Sequence, residues 1–169
     1  MRAVVLGLAF VFACGGATAE QPLKLQLGIP RDQALTELRS QQFCFSPDGP
    51  ARQVETYPRC ERAGTEWGEA WVTARYDAGL LVELKRYERY PDDDRAVERW
   101  NQLVEDRMKA SPDAPDGGAE LRARGPLEPG TRSVKAFKVS PTTIVAVYLL
   151  TPSPPAQASV LEAIVPVRR

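Results

Sequence analysis

Three observations predict an α+β fold, mostly antiparallel sheet with two helices packed on one face. Several short runs alternate apolar and polar residues with period two. Two longer stretches carry a 3.6-residue apolar stripe. Between them lie turns dense in Gly, Pro and Asp. The expected order is strand, helix, hairpin, helix, hairpin, strand. That order suggests two pseudo-repeated β-α-β-β halves, around 23–88 and 93–167, sharing one sheet.

The elements follow in order. LKLQLGI from Leu23 alternates like a half-buried strand, ended by Gly28 and Pro30. Pro30, Asp32 and the apolar face Ala34, Leu35 and Leu38 start a helix that reaches Ser40 to Gln42. SPDGPA, from Ser46 to Ala51, reads as a turn, and Val54 to Tyr57 as a short strand. Trp71–Tyr76 and Leu80–Tyr87 flank Asp77-Ala78-Gly79, the strongest hairpin signal in the chain. One face of that hairpin carries Val72, Ala74 and Tyr76 against Leu80, Val82 and Leu84.

Asp92, Asp93 and Asp94 suit a helix cap and first turn better than a cation site. The helix they open bears Val97, Trp100, Leu103, Val104 and Met108 on one side, and Ser111-Pro112 stops it. A loop runs to Gly118, and Leu121 to Arg124 is expected to begin a strand. Arg132–Val139 and Thr143–Leu150 form a second hairpin. A Pro-rich connection from Thr151 to Ser159 leads to a last strand, Val160 to Val167, with Pro166 suiting a sheet edge.

The first nineteen residues have the shape of a secretory leader: Arg2, an uncharged apolar core, then Ala17-Thr18-Ala19. Two cleavage points are open. A cut after Ala19 leaves a single exported domain, residues 20–169, in the periplasm or outside the cell. A cut before Cys14 leaves a lipid-anchored protein. The bulky Phe12 favours the first. With Cys14 removed, Cys44 and Cys60 remain as an even pair in a compartment that permits disulfides, and a disulfide between them is expected.

Composition narrows the chemistry. The 169 residues contain no histidine and carry no net charge. Serine and cysteine hydrolase machinery that needs histidine is excluded, as are histidine-ligated metals. No basic footprint for nucleic acid is present, and no apolar run after the leader is long enough to cross a membrane. No cofactor, metal or catalytic residue is assigned.

LGIPRDQALTELRSQ resembles the opening of small bacterial envelope modules of the BamE and β-lactamase-inhibitor-like type, through Leu27, Gly28, Asp32, Ala34 and Leu38. That resemblance implies a scaffold or inhibitor acting through protein–protein contact.

The leading expectation is therefore a non-catalytic exported module that binds an envelope protein. Its expected surface is the outer sheet face, with Arg75, Lys85, Arg86, Tyr87, Arg89 and Tyr90, because Arg and Tyr are enriched at interface hot spots. Two alternatives remain. A hydrolase without histidine would need a carboxylate pair such as Glu66 and Glu69, and a small-ligand or lipid carrier could line its pocket with Trp67, Trp71 and Trp100.

Overall fold

The computed structural model describes residues 22–51, 54–62, 70–151 and 157–168. The leader, Cys14, Trp67, Glu66, Glu69 and the Pro-rich stretch 152–156 lie outside them. The described chain is α+β and dominated by antiparallel sheet. Its elements are α1 (Arg31–Ser40), β1 (Ser46–Ala51), β2 (Val54–Pro58), β3 (Ala70–Asp77), β4 (Leu80–Arg89), α2 (Asp93–Ala110), α3 (Gly118–Ala123), β5 (Thr131–Ser140), β6 (Thr143–Leu150) and β7 (Ser159–Pro166). The strands form one seven-stranded sheet in the order β1-β2-β3-β4-β7-β6-β5. Every ladder is antiparallel.

Side-chain alternation along β6 separates the two faces. Val145 joins the core of α1, with Ala34, Leu38, Leu84 and Ile164. Val147 and Leu149 join the core of α2, with Ala96, Leu103 and Val160. The intervening Ile144, Ala146, Tyr148 and Leu150 pack with Leu121 of α3 instead. The helices therefore number three rather than two, and α3 lies across the sheet from the other cores.

Four sequence expectations need correction. Residues 23–26 are not a strand, although Leu23 and Leu25 are buried. Their alternation reflects core contact, and the Leu23 backbone bonds to side chains rather than to a ladder. SPDGPA is not a bare turn but β1, an edge strand on β2, where prolines are tolerated. The stretch expected to begin a strand at Leu121 is α3, built from the helix-favouring run Ala119 to Ala123. The last strand is central, between β4 and β7's other neighbour β6. Pro166 fits because it is the final residue of the strand.

The 3–4 hairpin forms with a bulge between Arg75 and Tyr76, pairing Tyr76 with Leu81. The bulge shifts the facing residues, so Leu81 is fully buried while Leu80 is 43% exposed. Ala78 and Gly79 take positive φ in its turn, as a two-residue hairpin loop requires. Asp92 caps α2, accepting from the Arg95 backbone N–H at 2.9 Å. The fully buried positions of α2 are Ala96, Arg99 and Leu103; Val97, Trp100 and Val104 of the expected face pack partly buried against the same core, and Met108 is 54% exposed.

Candidate functional site

The face that carries α1 and α2 holds charge where its neighbours hold hydrocarbon. Alternation along β4 sends Leu84, Arg86 and Glu88 to this face, and β7 adds Glu162 opposite Arg86. Arg86, Glu88 and Glu162 are 2%, 5% and 0% exposed. Buried charges persist only when paired and hydrogen-bonded. Helix α2 supplies two of the partners, Arg99 and Arg107, two turns apart on the same flank.

Arg99 grips Glu88 with two bonds, Nε to Oε2 at 2.8 Å and Nη2 to Oε1 at 3.1 Å. Tyr90 donates its hydroxyl to the same Oε2 at 2.6 Å. Arg107 grips Glu162 Oε1 through Nε at 2.7 Å and Nη2 at 2.6 Å. Arg86 bridges the two carboxylates, with Nε 3.0 Å from Glu88 and Nη2 3.2 Å from Glu162. Burial alone would raise the Glu88 pKa. The bonds from Arg99 and the charge of Arg86 outweigh it and hold the carboxyl below its ordinary value.

The same network fastens the chain entering the domain. Leu23 donates its N–H to Glu162 Oε2 at 3.1 Å, and its carbonyl accepts from Arg107 Nη2 at 2.8 Å. Beside this segment a pocket of about 370 Å3 opens, lined by Pro22, Lys24, Glu37, Ser40, Gln41, Phe43, Arg59 and Arg86. The Arg59 guanidinium lies 4.2 Å over the Phe43 ring, and its Nη1 donates to the Gln41 carbonyl at 3.0 Å. The disulfide Cys44–Cys60, with Cα atoms 4.7 Å apart, ties together the two segments that carry Phe43 and Arg59. A Phe43–Arg59 bridge and the Cys44 N–H to Pro58 bond run alongside it.

The residues expected to share one outer surface divide into three groups. Arg86 points to the opposite face from Lys85 and Tyr87 and is buried, so it cannot belong to an exposed interface. Tyr90 joins it by bonding Glu88. Arg75 and Lys85 pair with Glu83, each at 3.3 Å, and Lys85 also reaches Glu128 at 2.8 Å. That cluster sits beneath the segment after α3, where Arg124 adds a bond to the Pro166 carbonyl. Tyr87 and Arg89 form the third group with Trp71. The Trp71 and Tyr87 rings stack 5.0 Å apart at 8°, and Arg89 lies 4.5 Å over Trp71.

Neither Trp71 nor Trp100 lines this pocket, and Trp67 lies outside the described residues. Trp71 is in that stack, and Trp100 donates its indole N–H to the Val147 carbonyl at 3.0 Å. Tyr57 bonds to Glu55 and to the Tyr76 hydroxyl, and its burial pushes its pKa far above the ordinary value. A tyrosine so held is a poor general base. Among the described residues no group of three or more Cys, Asp or Glu side chains is placed to hold a metal. None of the described helices is long and apolar enough to cross a membrane. Comparison with protein-family models, curated proteins and solved structures returns no match.

Sequence reasoning missed the buried network because Arg99 and Arg107 read as the polar side of an amphipathic helix. One signal was present: Glu162 interrupts the otherwise apolar run Val160 to Val165. A single charge inside a buried strand demands a partner.

Proposed function

We propose that this protein is a non-catalytic module, exported from the cell interior and released by cleavage after Ala19, that binds an envelope protein. The observation that carries the reading is the half-buried Tyr87 and the exposed Arg89 on the sheet face opposite Arg86, both held by the buried Trp71 ring. Tyr and Arg are enriched at interface hot spots, and side chains already held in place lose little conformational entropy on binding. The disulfide fits an oxidising compartment outside the cytoplasm. The resemblance of Leu27 to Leu38 to BamE-type openings adds the same inference of protein–protein contact. The two halves read as a duplicated unit of helix followed by meander, with α1 and α2 on a shared face. A hydrolase is disfavoured because the clustered carboxylates Glu88 and Glu162 are each gripped by arginine.

The test is crosslinking in cells with the tagged full-length protein, followed by capture and mass spectrometry, beside a Tyr87→Ala/Arg89→Ala variant. Recovery of one envelope protein at near-stoichiometric yield, lost in the variant, supports the reading. Equal recovery with both forms, or recovery of the protein alone, overturns it. Thermal melts confirm that the variant is folded.

A further inference from the structure

We infer that the cavity between the α3–β5 connection and the sheet binds a small neutral molecule whose oxygen accepts a hydrogen bond from Tyr148. The site goes beyond the partner surface proposed above, and its test needs no partner, so the two fail separately.

The cavity measures about 130 Å3. On one side is sheet: Lys85 from β4, Tyr148 from β6, and Ala163 and Val165 from β7. On the other are Leu121 of α3 and the segment that follows it, with Arg124, Leu127 and Glu128. Each charged side chain of the cavity already has a partner. Lys85 meets Glu128 at 2.8 Å and Glu83 at 3.3 Å. Arg124 meets Glu83 at 3.4 Å and donates to the Pro166 carbonyl. These bonds tie the segment after α3 to β4 and β7, so the cavity is formed before any ligand arrives.

What is unmet is one hydroxyl. Tyr148 is 4% exposed, and its hydroxyl makes no hydrogen bond to a described residue. The charges that act on it are Glu128, Lys85, Arg124 and Glu83, the same four that line the cavity, which places the phenol oxygen among them. Burial pushes its pKa up to about 12, so at neutral pH it keeps its proton and is a donor. A buried donor without an acceptor has lost its hydration for nothing, and an acceptor brought into the cavity restores the bond.

The rest of the lining sets what carries that acceptor. An anion would meet Glu83 and Glu128, and a cation would meet Lys85 and Arg124. A charge on the ligand therefore competes with ion pairs already made, whereas a neutral ligand breaks none. Leu121, Pro126, Leu127, Ala163 and Val165 offer hydrocarbon to its body. An apolar cavity of about 150 Å3 takes a molecule the size of benzene, so about six or seven non-hydrogen atoms fit here. The ligand class is a compact ketone, lactone or ether of that size.

The experiment is an amide chemical-shift titration of the purified full chain with four probes. They are cyclohexanone, its hydrocarbon match methylenecyclohexane, cyclohexanecarboxylate and cyclohexylammonium. Saturable shifts centred on residues 83–85, 124–128, 148 and 163–165 are expected with cyclohexanone. The hydrocarbon should bind about fivefold more weakly, the worth of one neutral hydrogen bond, and the two ions should not bind. Tyr148→Phe removes only the oxygen. It should weaken cyclohexanone about fivefold, leave the hydrocarbon unchanged, and keep or raise Tm, because no bond within the protein is lost. Leu127→Ala changes an exposed loop residue and should weaken both probes alike, about threefold. No shifts, shifts centred elsewhere, equal affinity for ketone and hydrocarbon, or binding of either ion would each overturn the inference. So would a Tyr148→Phe variant that unfolds or melts more than about 3 °C lower, since its hydroxyl would then already have a partner.

Discussion

Replacing Glu162 by glutamine keeps the shape and removes the charge. In the native protein this carboxylate meets Arg107 at 2.6 and 2.7 Å, Arg86 at 3.2 Å and the Leu23 N–H at 3.1 Å, and it is 0% exposed. Breaking one side of a buried ion pair costs about 3–5 kcal/mol, because the opposite charge stays buried and uncompensated. Glutamine still accepts one bond, so about 3 kcal/mol is expected. That is a large share of the roughly 5–15 kcal/mol that stabilises a domain. For a chain of 169 residues it corresponds to a fall in Tm of about 6–12 °C. Differential scanning calorimetry measures it directly. A fall below about 2 °C would refute the argument, since the network would then be hydrated or loosely held. A Glu162→Leu/Arg107→Leu double variant supplies the internal control. Its loss should be smaller than the sum of the two single losses, because it removes both charges together.

Three further outcomes are expected. A Cys44→Ala/Cys60→Ala variant should lose about 3 kcal/mol by urea denaturation, and reductant should then have no further effect. Asp92→Ala removes the acceptor of the Arg95 N–H and should cost about 1 kcal/mol, read as a lower urea midpoint at unchanged slope. Stability should fall in acid. Glu88 and Glu83 have folded pKa values below 4.5, their ordinary value, so each adds stability that is present above 4.5 and lost as the pH falls through the lower folded value. Urea midpoints should be flat above about pH 5.5 and decline below 4.5. A midpoint that rises on acidification would contradict the assigned sign.

Local chemistry made much of the fold legible. The Asp77-Ala78-Gly79 hairpin, the capped helix at Asp92 and the pairing of Cys44 with Cys60 are each specified by residues close in sequence or by elimination. What escaped was decided by distant partners. The bulge at Arg75 shifts Leu81 inward, which strict alternation cannot foresee. Leu23 and Leu25 alternate like a strand, yet their segment is fixed by side chains from α2 and β7. Most of all, Arg86 looked like part of a solvent-facing row with Lys85 and Tyr87. Period-two alternation already placed it on the other side, but only the presence of Glu88 and Glu162 there makes a buried arginine tolerable. Of the six residues expected on one surface, Tyr87 and Arg89 stay together because Trp71 lies beside both.

The position of β7 has a consequence for how the chain is made. Strands β1 to β4 and the hairpin β5–β6 are separate sheets until residues 159–166 slot between β4 and β6. A polypeptide emerging from its amino end therefore carries two open edges, and lacks the anchor for Leu23 and for Arg107, until this late segment arrives. Such dependence on remote pairing slows folding, and open strand edges invite association. Under the export proposed above, that delay would keep the polypeptide extended until residues 159–166 arrive, when a single strand completes the sheet and bolts down its own beginning.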